Sequence, residues 1–326
     1  LELLSKTDLA RVSDLVYQHV LPTPQFAWPL LASAVGREVW VKHENHTPTG
    51  AFKVRGGLVY LHELNAAGNK AELVTATRGN HGQSIPYAAR QYGKQVHVFV
   101  PEGNSPEKNA AMQAWGAHLH VFGRDFDAAR QEAERVAAET DAHLVPSFSE
   151  HLLRGVATYG AELFAAVEDL DTVYVPIGMG SGACALIAVR DLFNRATKVV
   201  GVVAQAADAM ARSLAAGRIV TTETAHTFAD GMATRVPHPD AFAMLRAGLE
   251  RTVCVSDDEI AEAMRLLYQT THNVAEGAGA AATAACVQDV AAGRVARSAK
   301  LAVILSGGNV DQTLYAEVLS GRTPAV

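Results

Sequence analysis

From about residue 38 onward, short apolar runs alternate with stretches of helical spacing, and that alternation narrows the fold to parallel α/β architecture. Runs with the length of buried strands are Glu38–Lys42, Leu73–Ala76, Val96–Val100, His118–Val121, Val173–Val175, Val199–Val203 and Leu301–Leu305. Helical spacing fills the gaps, over Gln83–Tyr92, Pro106–Trp115, Asp127–Glu139 and Asp257–Tyr268. Ser256-Asp-Asp-Glu259 has the form of a capping box before an apolar-periodic run. The Ala-rich segment Gly277–Cys286 reads as a helix packed closely on a sheet. Leu73 to about Ser147 is a compact series of β/α units, suited to a small lobe inserted into a larger one. Periodicity alone does not separate that insertion from a tandem arrangement.

At 326 residues the chain is long for one core, so two lobes are expected. Apolar residues make up 49% and charged residues 19%, with a formal net charge of -6 and the two signs interspersed. That pattern speaks against a nucleic-acid groove and against a polybasic membrane patch. The longest apolar runs are far too short to span a bilayer, and the N-terminus lacks the form of a signal peptide. Cys184, Cys254 and Cys286 are far apart and odd in number. They fit small buried side chains in a reducing cytoplasm better than a disulfide framework.

Four segments carry chemistry. The first is Thr49-Gly-Ala-Phe-Lys-Val-Arg-Gly-Gly57, where Lys53 stands between Phe52 and Val54. A desolvated amine loses protons more readily and becomes nucleophilic toward carbonyl compounds, including the aldehyde of pyridoxal phosphate. A surface lysine at a helix start is the plain alternative. The second is Thr75-Ala-Thr-Arg-Gly-Asn-His-Gly-Gln-Ser84, between strand and helix. There the first helical amides suit an anion such as a substrate carboxylate. Asn80 is placed to bond a ring hydroxyl or simply to cap the helix. The third is Val175-Pro-Ile-Gly-Met-Gly-Ser-Gly-Ala183. Its glycines leave amides free to cradle a phosphate, which suits a dinucleotide equally well. No acidic residue closes the next strand to hold a ribose. The fourth is Leu305-Ser-Gly-Gly-Asn-Val-Asp311, which puts Ser306 at the carboxyl end of a strand.

With these four motifs in this order, the chain resembles the fold-type II pyridoxal-phosphate enzymes, in the serine/threonine dehydratase branch that includes serine racemase. The likeness runs from Leu21-Pro-Thr-Pro24 to Asn309-Val-Asp311. It implies two open twisted parallel-sheet lobes of the tryptophan synthase β-like class, with the active site in the cleft between them. Residues 1–70 plus 149–326 would form a large cofactor-binding domain and 71–148 a small mobile one, usually in a homodimer. Lys53 would be the Schiff-base lysine and Phe52 would pack beside the ring. Asn80 would bond the phenolic oxygen, Gly178, Met179, Gly180, Ser181 and Gly182 would hold the phosphate, and Ser306 would face the pyridine nitrogen. Thr77, Asn80 and His81 fall in the loop that binds the substrate carboxylate. Thr227-Phe-Ala-Asp-Gly231 and Glu276-Gly277 match segments near the site. The implied activity is an ammonia-lyase: elimination of the β-hydroxyl of a threonine- or serine-like amino acid to a 2-oxo acid and ammonia. The alternatives are β-replacement or threonine-synthase chemistry on the same fold and, in another class, a non-catalytic dinucleotide-binding protein.

The chain departs from the branch at several places. Arg78 stands where a small residue is usual, often serine or alanine. An always-charged guanidinium is no simple acid, so little racemase activity is expected, and Arg78 is a candidate contact for a polar substrate group. Pro146-Ser-Phe-Ser149 replaces a common Pro-Asn, making Ser147 and Phe148 candidate substrate residues, with Phe148 widening or gating a pocket. Together these point toward a bulkier or polar β-substituted serine, such as 3-phenylserine or 3-hydroxyaspartate. Val203, Ala207 and Ala209 occupy the register of a metal-binding Glu-x-x-x-Ala-x-Asp, so no metal is expected there. His43 and His46 lack nearby cysteine partners and read as structural, and His272 as a packing residue. The chain ends soon after the last motif, so no C-terminal regulatory domain is expected, and a catabolic or specialised role fits best.

Overall fold

A computed structural model describes residues 4–325. Its strands, in chain order, are β1 (Gln25–Ala27), β2 (Val39–His43), β3 (Leu73–Ala76), β4 (Val96–Val100), β5 (Ala117–Val121), β6 (His143–Leu144), β7 (Thr172–Pro176), β8 (Lys198–Ala204), β9 (Arg251–Val255) and β10 (Leu301–Leu305). They make two sheets: six strands in the order β1-β2-β10-β7-β8-β9, and four in the order β5-β4-β3-β6. Only the β1–β2 pairing is antiparallel. Each apolar run of the sequence is a strand, within a residue or so at each end. β1, β6 and β9 were not evident, because two are very short and β9 is an edge strand that begins Arg-Thr.

The strand order builds the site. In the larger sheet β10 lies between β2 and β7, so the segments leaving the carboxyl ends of these three strands emerge side by side. Those segments carry Lys53, Ser306 and the 178–182 turn. Backbone bonds lock two of them together: Phe52 N–H donates to the Ser306 carbonyl (3.1 Å), and Gly308 N–H to the Gly50 carbonyl (2.9 Å). In the smaller sheet β3 is flanked by β4 and β6, which brings the Thr77–Asn80 turn beside Ser147.

Helices on the two faces of the larger sheet supply its cores. Gly277–Ala291 packs its alanines against β7 and β10. On the other side Glu150–Ala166 and Ser181–Leu192 close over Val173, Val175 and Ile304. Burial of this apolar surface, at roughly 25 cal/mol per Å², is the main stabilising term.

A largely buried charge network fixes the helix that starts at Lys53. Arg55 donates from Nε to Glu44 (2.7 Å) and from Nη1 to Glu162 (2.6 Å) and Thr158 (2.9 Å). Lys42 donates to Glu162 at 2.5 Å. Burial alone would raise the Glu162 carboxyl, yet Arg55 and Lys42 beside it hold it below its ordinary range.

The histidines singled out in the sequence have the following settings. His43 accepts a bond from Trp28 (2.9 Å) and His46 bonds Asn273 (2.6 Å), so both imidazoles have non-metal partners. No group of three or more His, Cys, Asp or Glu among the described residues is placed to hold a metal ion. His272 is not a packing residue: it is exposed and ends the Asp257–Thr271 helix in a left-handed conformation, φ 55°. No helix among the described residues is long and apolar enough to cross a membrane.

Candidate active site

A cleft of about 820 Å³, counting its open mouth, lies where the carboxyl ends of the two sheets face each other. Phe52, Lys53, Thr77, Arg78, Asn80, His81, Ser147, Ser306 and residues 178–182 all line it.

Lys53 opens the helix Lys53–Ala66 at the cleft floor, its Nζ 2.9 Å from Ser181 Oγ and 5.0 Å from the centre of the Phe52 ring. With no carboxylate paired to it, desolvation brings its pKa down to about 8. About a tenth of the amine is then neutral at pH 7, far more than for an exposed lysine.

The 178–182 turn is shaped by close backbone packing. A methyl group at Gly178 would lie 2.2 Å from the Gly231 carbonyl oxygen, and Gly180 has φ 96°, a conformation that other residues rarely adopt. Ser181 begins the helix Ser181–Leu192, which has no side-chain cap. Its first-turn amides therefore face the cleft without an intrahelical partner.

Across the cleft, Thr77 Oγ1 accepts from the amides of Gly79 (2.9 Å) and Gly82 (3.2 Å), which fixes the entry to the helix Asn80–Ala89. Asn80 donates to Glu276 (2.6 Å) and accepts from Asn309 (2.8 Å), so its amide plane is set from both sides. His81 bonds Thr75 at 3.1 Å. Burial, with the Lys53 charge adding to it, lowers its pKa to about 3 and keeps it neutral.

Phe148 stands outside the central cleft. Its ring is buried against His238, centroids 4.7 Å apart, in an adjoining pocket that shares Ser147. The cause is local: Ser149 caps the helix Glu150–Ala166 by accepting from the Leu152 amide (3.3 Å), and this fixes the turn with Phe148 inward. That pocket shares Ala76, Ser147 and Met179 with the cleft.

Sequence reasoning also under-weighted a cluster at the cleft wall. Lys108 Nζ lies 2.5 Å from Asp230 and 3.5 Å from Glu276. Burial alone would lower Lys108, but these two carboxylates hold it above its ordinary value. Burial raises the Glu276 carboxyl to about 7 despite Lys108 nearby. Asp230 and Glu276 sat in segments already matched to the family, whereas Lys108 gave no signal beyond its place on an amphipathic helix.

Residues 16–307 match the family of pyridoxal-phosphate dependent enzymes. The chain belongs to that family. Within it, the chain falls in the fold-type II serine/threonine dehydratase branch and is a pyridoxal-phosphate-dependent ammonia-lyase. It is 32% identical to the catabolic L-threonine dehydratase of Escherichia coli over 86% of this chain and 85% of that one. It is 29% identical to the L-threo-3-hydroxyaspartate ammonia-lyase of Saccharomyces cerevisiae over 97% of this chain and 96% of the other. Among solved structures, maize serine racemase superposes with a TM-score of 0.88 at 26% identity, covering 97% of both chains. The residues present fit pyridoxal phosphate: a low-pKa amine, an uncapped helix start behind a glycine turn with no room for a side chain, and a buried neutral hydroxyl at Ser306.

Proposed function

We propose that the enzyme removes the β-hydroxyl of a β-hydroxy-α-amino acid, threonine or serine by default, releasing a 2-oxo acid and ammonia. The observation that carries this is the Lys53 amine, desolvated and unpaired with any carboxylate, 2.9 Å from Ser181 at the mouth of the glycine turn. Lys53 would hold the cofactor, with Phe52 beside its ring, Asn80 at the phenolic oxygen, Gly178, Met179, Gly180, Ser181 and Gly182 around the phosphate, and Ser306 at the ring nitrogen. When bound, pyridoxal phosphate supplies an electron sink for the Cα carbanion. The chain's own groups do the rest. The amides of Asn80 and His81 and the Thr77 hydroxyl orient the substrate carboxylate. The Lys53 amine takes the Cα proton as general base, holds it at Nζ next to Ser181, and releases it as the β-hydroxyl departs as water. A neutral Ser306 leaves the ring a weaker sink than an aspartate would, which favours prompt β-elimination over transamination. The guanidinium of Arg78 is always charged and no simple proton donor, so racemisation is expected to be minor.

The separate four-stranded sheet supports reading residues 71–148 as a small mobile domain against 1–70 plus 149–326. Lys108–Asp230 and a bond between Ser105 and Asp311 join the two parts across the cleft. We read the protein as a cytoplasmic homodimer. Exposed Leu21, Phe26 and Leu30 support self-association.

The test is a panel of threo and erythro β-hydroxy amino acids scored for 2-oxo acid and ammonia on purified, yellow holoenzyme. Release without an added nucleophile is expected; dependence on one would favour β-replacement. Protein that stays colourless and unlabelled by borohydride after cofactor addition would overturn the assignment.

Glu276 gives a second expected result, in stability. Its folded-state pKa of about 7 lies above the ordinary 4.5, so the folded state holds the proton more tightly. The stability this contributes is present below about 4.5 and is lost as pH rises through about 7. Glu276→Gln should therefore gain stability relative to the parent across that window and hold the gain above it, in urea unfolding followed against pH. A parallel pH dependence in both proteins would show that Glu276 ionises normally.

A further inference from the structure

Arg78 is the one guanidinium lining the cleft, and the described residues leave its charge unbalanced. Lys108 has Asp230 and Glu276; Arg130, near the adjoining pocket, pairs with Glu134; Arg235 pairs with Asp125 at 3.0 Å and Asp127 at 3.4 Å. Lys53 has a neutral partner and a lowered pKa. Arg78 is half-buried in the same wall, enters no ion pair among the described residues, and its buried Nε has no hydrogen-bond partner. Leaving a half-desolvated guanidinium unpaired is costly, and a bidentate carboxylate is the partner that fits its fork of donors.

The α-carboxylate of the substrate does not need it. That group is served by the open first-turn amides of the Asn80–Ala89 helix and by Thr77, whose hydroxyl oxygen already accepts two amides and so has its proton to give. An aromatic side chain is not favoured by the neighbouring turn either, since Phe148 is spent on His238.

We infer that Arg78 pairs with a carboxylate on the substrate's Cβ, so that the preferred substrate class is a β-hydroxy-α-amino dicarboxylate. This rests on the dehydratase reading above. The reaction balances without a further reactant. Cα–H and Cβ–O bonds break and water leaves; hydrolysis of the released enamine adds that water back and frees ammonium. One 2-oxo dicarboxylate forms per substrate.

The experiment compares kcat/KM for threo and erythro 3-hydroxyaspartate with that for threonine, using holoenzyme of the parent, Arg78→Ala and Arg78→Lys. The parent should favour the dicarboxylate. In Arg78→Ala the ratio of dicarboxylate to threonine should fall about a hundredfold, the usual scale for truncating one partner of a buried charge pair. Arg78→Lys should fall between, keeping the charge and losing the fork. Aspartate, which has no β-leaving group, should perturb the visible spectrum of the parent at lower concentration than alanine does, and Arg78→Ala should lose that advantage. An unchanged ratio overturns the inference, whether both substrates suffer equally, which would assign Arg78 to the α-carboxylate, or neither does. Failure of every β-hydroxy amino acid on cofactor-loaded protein would instead remove the dehydratase reading itself, and this inference with it.

Discussion

Lys53→Ala is expected to lower kcat by about 10⁴-fold or more, the upper range for a general base, because the same amine also holds the cofactor. Among the residues lining the cleft no other amine is free to substitute. Lys108, the other lysine of the cleft wall, is held protonated by Asp230 and Glu276. The fold should survive the change. Lys53 gives the folded state one hydrogen bond to Ser181 and carries a desolvation cost that alanine removes. The melting temperature should therefore stay near that of the parent, and circular dichroism should not change. Borohydride should fix the cofactor to a peptide containing residue 53 in the parent and to none in the variant. Turnover within about tenfold of the parent would remove Lys53 from the chemistry.

Much of this was legible in the sequence, and the reasons differ by element. Buried parallel strands such as Val96–Val100 and Leu301–Leu305 read as unbroken apolar runs because both of their faces are covered. β9 gave no such run because an edge strand can keep arginine and threonine. The turns that carry Lys53, Asn80, residues 178–182 and Ser306 were visible because their chemistry needs glycine at fixed places. The contacts among them were not. Nothing local in Pro106–Trp115 says that Lys108 will meet Asp230, 122 residues away, and that pairing exists only once the two sheets face each other. The direction of Phe148 was hidden for the opposite reason: it stands in a site-forming turn, and the cap at Ser149 sets which way its ring points. The buried pair of Glu44 and Glu162 with Arg55 was likewise hidden, since charged residues in a sequence read as surface.

That network gives the largest expected effect on stability. Arg55 is fully buried and neutralises two carboxylates, Glu44 and Glu162, which are almost as inaccessible. Arg55→Ala leaves both without their main partner, with Lys42 as the remaining cation, 2.5 Å from Glu162 and 3.9 Å from Glu44. Breaking a buried pair from one side costs about 3–5 kcal/mol, because the stranded charge stays desolvated. In a chain of this size the melting temperature should fall by roughly 4–7 °C. Arg55→Lys should recover only part of the loss, since an ammonium cannot reach Glu44, Glu162 and Thr158 in one plane. Adding Glu44→Gln to Arg55→Ala should restore part of the stability, because it removes one of the two stranded carboxylates and leaves Glu162 with Lys42. Arg55 lies two residues beyond Lys53 on the same helix, so weaker cofactor retention should accompany the lower melting temperature. A loss under about 1 kcal/mol would mean that water reaches the carboxylates, as it does for exposed pairs. The helix that presents Lys53 would then be held by its apolar packing alone.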